Sequence, residues 1–414
     1  MRADWQTGQL GDFFEIVTGG TPPKAKKEMY GSYMPLVKPP ELTGAGVQSG
    51  EDFLSEEGAA ASRILPVGSV LVSCIGNLGK IGISKVELAT NQQINSIKPN
   101  AGKAFPEFVF YLVQAPHFSD QLHRLASGTT VSIVNKSKFK SILVDLPSLP
   151  EQKNIVATLD EAFEGIDTVV ANTEKNLANA REMFESYLSS VFSQRGDVWV
   201  ERRLEEIASS TQIGLVRNRK EQGDSLEYSY VKMDNITPNN YFDSKNIVRV
   251  EAKQSEVEKY SLKKGDLLFS TRNSYELVGK SCLYDIEKKE PVLFNNNIMR
   301  IRFVEEISPN FAAYLFHSPK VKKQLENMKS GTTNVSAIYY KSLKNIRLAF
   351  PSLDTQKTIC GRLDEMSART QELEAIYQHK LTALAELKQS LLQKAFSSEL
   401  TAREAEAAVE EATA

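Results

Sequence analysis

The sequence predicts an α+β chain in which two tandem α/β globular units each run into a long helix. Three observations carry that prediction. First, Pro147-Ser148-Leu149-x-x-Gln152-Lys153-x-Ile155-x-x-x-Leu159-Asp160-Glu161 returns 204 residues later as Pro351-Ser352-Leu353-x-x-Gln356-Lys357-x-Ile359-x-x-x-Leu363-Asp364-Glu365, with nine identities in fifteen positions. Second, apolar residues after each motif step by four and three, the seam of a coiled coil. Third, glycine-led, β-rich apolar runs recur upstream of both motifs, as turns entering buried strands do. A tandem duplicate can present two equivalent surfaces about a pseudo-two-fold axis, so function is expected in what both copies do.

The bulk composition sets outer bounds. A chain of 414 residues with 41% apolar and 25% charged residues has room for two to four ordinary globular domains. No apolar run approaches the roughly 18–20 residues that span a bilayer. Met1 to Gln9 lacks a basic-plus-apolar signal pattern, so the cytoplasm is the expected compartment. Cys74, Cys282 and Cys360 lie far apart, which suggests neither a disulfide framework nor a zinc knuckle. The net charge of −2 argues against a uniformly basic protein, but its distribution is uneven. It is +1 over 1–150, −5 over 151–198, +5 over 199–354 and −3 over 355–414. Segregated interaction faces would produce that alternation, and so would solvated helices between globular parts.

Each globular part opens with a tryptophan, Trp5 or Trp199, five residues before Leu10 or Leu204. Val37-Lys38 pairs with Val231-Lys232 at a spacing of 194. Leu65-x-x-Gly68-x-Val70-Leu71-x-Ser73 is echoed by Leu262-x-x-Gly265-x-Leu267-Leu268-x-Ser270. Gly79-Lys80 and Gly279-Lys280 follow, then Asn91-Gln92-Gln93-Ile94 and Asn295-Asn296-Asn297-Ile298. A short amphipathic helix starting at proline is predicted over 106–115 and again over 309–317. The spacing drifts from 194 to 204, so the second copy holds small insertions, one across 271–278. The first helical seam runs Ile155, Leu159, Ala162, Ile166, Val169, Thr173, Leu177, Ala180, Phe184, Tyr187, Val191. The second runs Ile359, Leu363, Met366, Thr370, Leu373, Tyr377, Leu381, Leu384, Leu391, Ala395. A helix of about 40 residues is roughly 60 Å long and cannot bury its stripe alone, so the two helices should pack on each other. Thr401 to Ala414 is Ala/Glu-rich without a seam and is expected to be a disordered tail.

Catalytic signatures fail one by one. Val278-Gly279-Lys280-Ser281 resembles the end of a P-loop, yet Ser274 occupies the required first glycine and the other copy reads Gly79-Lys80-Ile81. Leu42-Thr43-Gly44-Ala45-Gly46 reads as a turn. Glu151-Gln152-Lys153 has nuclease-like spacing, but its counterpart Thr355-Gln356-Lys357 lacks the carboxylate, which favours a helix-start role. Lys38-Pro39-Pro40-Glu41 has the wrong first and last residues for an amino-methyltransferase motif. The four histidines are too scattered to suggest ligands.

The polar loops suggest contacts to DNA instead. Ser127-Gly128-Thr129-Thr130 and Ser330-Gly331-Thr332-Thr333 join hydroxyls to a glycine that could let backbone amides approach a phosphate or base edge. Lys136 and Lys138 follow in the first copy, Tyr339 and Lys341 in the second. Arg272, Asn273 and Tyr275 sit in the insertion after a strand; arginine can pair with guanine and asparagine with adenine. Gln92, Gln93, Asn296 and Asn297 are amides of the same recognition type, and the matched lysines Lys38, Lys80, Lys232 and Lys280 complete the candidate set. A turn role for Ser-Gly-Thr and for the amide runs stands beside this reading.

Together these residues resemble the specificity subunit of type I restriction–modification systems, over roughly residues 5–400. The Leu-Pro-x-x-x-Glu-Gln-Lys entry to the first helix, the Leu-Asp-Glu that follows, Leu387-Lys388-Gln389-Ser390-Leu391-Leu392, the Gly-x-Leu-Leu-x-Ser strand and the Ser-Gly-Thr-Thr loop carry the resemblance. It implies target-recognition domains over 1–150 and 197–354, each with a twisted, barrel-like sheet, separated by antiparallel helical spacers over 151–196 and 355–400. Each domain would bind one half of a bipartite site in double-stranded DNA. The helices would dock two modification subunits, with Val170, Met183 and Leu392 beside the seam contributing. Those subunits would bind S-adenosylmethionine and methylate adenine; restriction subunits would cut DNA with ATP and magnesium. This chain would hold no cofactor or metal and catalyse nothing itself, and no membrane is implied. A coiled-coil scaffold and a free-standing DNA-modifying enzyme are the competing readings. The first leaves the matched polar loops unexplained and the second lacks a catalytic motif.

Overall fold

A computed structural model describes residues 5–128, 130–194, 199–238, 240–397 and 402–413. The chain forms two compact units, residues 1–176 with 377–414, and residues 177–376.

In the first unit, the glycine-led run becomes strand Val70–Ser73, the middle of a five-stranded sheet. Its order is Ile16–Thr18, Ile94–Ile97, Val70–Ser73, Ile81–Ser84, Gly46–Val47. A three-stranded sheet (Asp52–Leu54, Tyr30–Val37, Ala89–Thr90) lies beside it in chain order, and Gln6–Gln9 pairs antiparallel with Leu143–Leu146. All four side chains of Val70–Ser73 are buried, so the strand is covered on both faces and reads as a continuous apolar run. Pro106–Gln114, with proline at its start, packs Phe108, Val109 and Leu112 into the same core.

The second unit repeats this order. Its four-stranded sheet runs Ala208–Ile213, Ile298–Phe303, Asp266–Ser270, Ser281–Tyr284, with Asp266–Ser270 fully buried. A second sheet runs Gln222–Gly223, Val248–Val250, Tyr228–Val231, Val292–Phe294, and Val200–Arg203 pairs with Arg347–Phe350. The described sheets are open, each with two ends, rather than barrel-like closures.

The duplicated motif is the joint between strand and long helix. Helices Leu149–Ser193 and Leu353–Ser397 begin within it. The Gln152 side chain is buried; its Nε2 donates to Lys103 O (2.9 Å) and Pro147 O (3.0 Å), and its Oε1 accepts from Phe105 N–H (3.1 Å). Gln356 makes the same three bonds to Glu306 O (2.9 Å), Pro351 O (2.9 Å) and Ser308 N–H (2.8 Å). About two turns on, Asp160 accepts from the Tyr111 hydroxyl (2.5 Å) and Asp364 from Tyr314 (2.6 Å), and burial with the neighbouring carboxylate pushes both phenols up. Glu151 accepts from the Trp5 indole at 2.9 Å, which explains the first copy's carboxylate without metal chemistry. At the matching place Thr355 Oγ1 lies 3.0 Å from Ser352 Oγ. Replacing Gln356 by alanine would strand two carbonyls and one amide. At about 1–3 kcal/mol for each unsatisfied buried group, a loss of roughly 3 kcal/mol is expected even after partial relaxation. Calorimetry should show a lower melting temperature for Gln356→Ala, and an unshifted transition would refute the staple.

Within each unit the helical segments run antiparallel. In the first unit Asp167 pairs with Lys388, and Leu159, Ala162 and Ile166 pack with Leu384, Leu391, Leu392 and Ala395. In the second, Arg181 pairs with Glu374 at 2.8 Å, and Leu188, Phe192, Cys360 and Leu363 join the globular core. The buried stripe departs from the expected seam near its ends. Phe184, Tyr187 and Val191 are half-buried, whereas Leu188 and Phe192 are buried. A globular core covers that flank: Phe192 meets Phe311 at 5.5 Å, as Phe396 meets Phe108 at 5.3 Å in the first unit. The expected tail also differs, because Ala402–Thr413 is helical. Its alanine-rich composition favours helix, and Ala405, Ala408 and Val409, spaced by three and four, dock on the first unit's helical core.

Candidate nucleic-acid interface

In the second unit the insertion becomes a strand. Arg272–Asn273 pairs with Ser336–Ala337, which pairs in turn with Ser330–Gly331. This three-stranded ribbon brings Arg272, Asn273, Tyr275, Ser330, Gly331, Thr332 and Thr333 together. Tyr275 N–H donates to Thr333 O (3.1 Å), and its hydroxyl donates to Glu326 (2.8 Å). Lys329 Nζ lies 4.7 Å from the Tyr275 ring centroid and 2.7 Å from Glu326, so the exposed ring is held on two sides. The amide loop adjoins the ribbon, since Thr271 N–H donates to Asn297 O (2.8 Å) and Ile338 N–H to Thr271 O (3.0 Å). Lys232 opens the short turn Met233–Asn235, against which Asn297 packs through Met233. Lys280 is half-buried, and desolvation pulls its ammonium below the usual lysine range despite Asp234 nearby. Tyr339 and Lys341 are exposed at the short helix after the ribbon.

The first unit gathers the same loops without a ribbon. Ile75 bridges to Ile133, Ser127 bridges to Ile133, and Gly76 N–H donates to Ser132 O (2.9 Å). Cys74 N–H donates to Gln93 O (2.7 Å), which sets the Gln92–Gln93 turn beside that loop. Gln92 is exposed and accepts from the Thr21 hydroxyl (2.9 Å); the Gln93 amide is partly spent on Asn91 (2.8 Å). Lys80 is half-exposed and Lys136 exposed near the same loops. Thr129 lies outside the described residues.

Several expected contacts have internal duties instead. Lys38 pairs with Asp52 at 2.6 Å, and that bond raises its pKa, so its charge is already matched. Lys138 Nζ donates to Leu125 O (3.0 Å) at the end of helix Pro116–Arg124. Ser127 and Ser330 hydroxyls donate to Ile133 O and Ala337 O, both at 3.2 Å, across their own loops. Gly128 and Gly331 have φ of +111° and +127°, and a Cβ there would lie 2.2 Å from Val131 O and 2.3 Å from Val335 O. Closure of each loop on itself therefore already requires glycine at these positions. All the described motif members are exposed, Thr130, Thr332 and Thr333 among them. Leu392, expected to dock a partner, is buried between the helical segments of the first unit. Val170 is half-buried beside that core, whereas Met183 is 47% exposed.

Two segments escaped the sequence reading. Residues 22–27 and 216–220 are basic, and each follows a glycine, Gly19 or Gly214, spaced by 195 residues. That spacing matches the 194 of Val37 and Val231, and it was the available signal. Among the described residues no group of three or more His, Cys, Asp or Glu could hold a metal ion. The three cysteines are buried, and burial pushes each thiol up to about 12. Among the described residues no helix is long and apolar enough to cross a membrane.

Fold and site together define a class: a duplicated α/β protein with one loop-borne polar face per unit and long helices built into both cores. The chain belongs to the type I restriction modification DNA specificity domain family, whose pattern it matches over residues 2–177 and 197–383. It is 24% identical over 311 residues to the type I restriction enzyme EcoKI specificity subunit of Escherichia coli K12, covering 72% of this chain and 66% of that one. It is 33% identical over 182 residues to the HindI specificity subunit of Haemophilus influenzae, covering 43% and 37%. The StySPI specificity subunit of Salmonella potsdam is 22% identical over 428 residues, covering 96% and 90%. The chain thus spans less than two thirds of the first two of these relatives. Among solved structures, a chain from work on complex assembly and conformational transition of a type I R-M system shares the fold with a TM-score of 0.77 at 19% identity, covering 97% of this chain and 99% of that one. The HsdS subunit of Thermoanaerobacter tengcongensis shares it with a TM-score of 0.53 at 18% identity, covering 97% and 98%.

Proposed function

We propose that this chain is the DNA-reading subunit of a type I restriction–modification assembly and catalyses no reaction itself. Each unit reads one half of a bipartite site in double-stranded DNA. The observation that carries this is the pairing of matched scaffolds with unmatched tips. Both units place an amide turn beside a Ser-Gly-Thr-Thr loop, yet only the second adds the Arg272–Asn273 strand. A shared frame with different exposed donors and acceptors suits two different base sequences. The chain works in the cytoplasm beside two modification subunits, which bind S-adenosylmethionine and methylate adenine. Restriction subunits that use ATP and magnesium cut the DNA. Met183 is the exposed apolar helix residue on which this reading places part of the modification-subunit contact.

Methylome sequencing of cells with and without this chain tests the assignment. Adenine-N6 methylation at one bipartite motif should vanish on deletion and return on complementation. Persistence of the methylation without the chain would overturn the reading, as would purified full-length chain with its modification subunit showing no preference for that motif.

A further inference from the structure

We propose that the segments after Gly19 and Gly214, residues 22–27 and 216–220, are arms that grip the DNA phosphate backbone beside each half-site; this rests on the DNA-reading role above. Position comes first. A Cβ on Gly19 would lie 2.2 Å from both Asn91 O and Thr90 O, and one on Gly214 would lie 2.2 Å from Asn295 O and 2.3 Å from Phe294 O. Only glycine lets the chain press this closely on the strand that leads into the amide turn. Backbone bonds from Gly20 N–H to Thr90 O and from Leu215 N–H to Phe294 O, both 2.8 Å, hold it there. Each arm therefore starts against the turn carrying Gln92 or Asn296.

Rigidity comes next. In the first unit the Tyr30 hydroxyl donates to Pro22 O (2.6 Å), and Thr21 donates to Gln92 (2.9 Å). In the second, buried Tyr230 donates to Leu215 O (2.5 Å), and Arg217 is spent on Glu256 (2.7 Å) and Glu251 O (3.1 Å). Tyr30 and Tyr230 stand at different positions of matched strands, so each unit braces the same arm by its own means. Beyond the braces stand exposed cations, Lys24, Lys26 and Lys27 in one arm and Arg219 and Lys220 in the other, with no acidic residue within either segment. None of the five has an ion-pair partner among the described residues, unlike Lys38 and Lys329. Preordered, unpaired cations beside a base-reading turn suit phosphates, whose contacts position a protein without carrying sequence information.

The experiment measures affinity of the full-length chain with its modification subunit by fluorescence anisotropy over a salt series. It uses a duplex carrying the methylated motif and a scrambled duplex. With about 0.9 in slope per phosphate contact, K24A/K26A/K27A should flatten the plot of log K against log salt by about 2.7, and R219A/K220A by about 1.8. The preference for the motif should stay within about twofold, since phosphate contacts act on all sequences alike. K24R/K26R/K27R should retain the wild-type slope and, with an unchanged melting temperature, exclude misfolding. Wild-type slopes in both alanine variants would overturn the proposal while leaving the DNA-reading role intact. A lost preference at unchanged slope would also overturn it, by making the arms base readers. If wild-type protein showed no motif preference, the DNA-reading role itself would fall, and the arms with it.

Discussion

Exchanging residues 1–147 for the matching segment of another family member will change one half of the methylated motif and leave the other half as it was. The junction is suited to the exchange because the joint is built largely from backbone atoms. Gln152 reaches Lys103 O, Pro147 O and Phe105 N–H, which any incoming sequence of the same fold supplies. The incoming segment must also keep a tyrosine to meet Asp160 and an aromatic ring to meet Phe396, since Tyr111 and Phe108 make those contacts. The polar face of the second unit, from Arg272 to Thr333, lies within residues 177–376 and is untouched by the exchange. Each base pair altered in the exchanged half should cost the original site about 1–3 kcal/mol. Methylome sequencing of the chimera gives the answer, and a change in both halves would defeat the assignment of one reader per unit.

The frame was legible because the duplication multiplies every weak signal. Gly68 and Gly265 read as turn residues in the sequence and both have positive φ, +83° and +92°. The Pro-Ser-Leu motif read as a helix entry, and both long helices begin inside it. What the motif does there was not legible, since Gln152 and Gln356 look like surface residues until their three backbone partners are known. The site was harder. Ser127 and Gly128 have the composition of a contact loop, yet they close their own turn through Ile133 and Val131. Spacing along the sequence cannot distinguish a hydroxyl offered to a partner from one spent on a carbonyl six residues away. Lys38 illustrates the same limit, because Asp52 neutralises it from a strand that only folding brings alongside. The helical edges failed for a different reason. A four-three seam assumes one neighbour, but Leu188 packs into a globular core as well, and Leu392, 204 residues on, is buried among the helical segments of its own unit. The spacing of 204 was a signal that Leu392 matches Leu188, and the docking expectation for Leu392 did not use it.

Met183 and Leu392 should consequently respond in opposite ways to substitution. Met183 is 47% exposed on its helix, so Met183→Asp should leave stability within about 0.5 kcal/mol of wild type. If the modification subunit docks there, the aspartate places a charge in an apolar contact, and co-purification should fall at least tenfold. Leu392 is 2% exposed and packs among Leu159, Ile166 and Leu391. Leu392→Ala removes buried methyl groups and leaves a cavity, at a cost of about 2–5 kcal/mol. Its transition should therefore drop by several degrees, and binding to the modification subunit should weaken only in proportion to the unfolded fraction. Titrating both variants against the modification subunit below their melting temperatures separates the two effects. Normal assembly by Met183→Asp would remove Met183 from the docking surface. Wild-type stability of Leu392→Ala would show instead that the helical core of the first unit does not depend on that side chain.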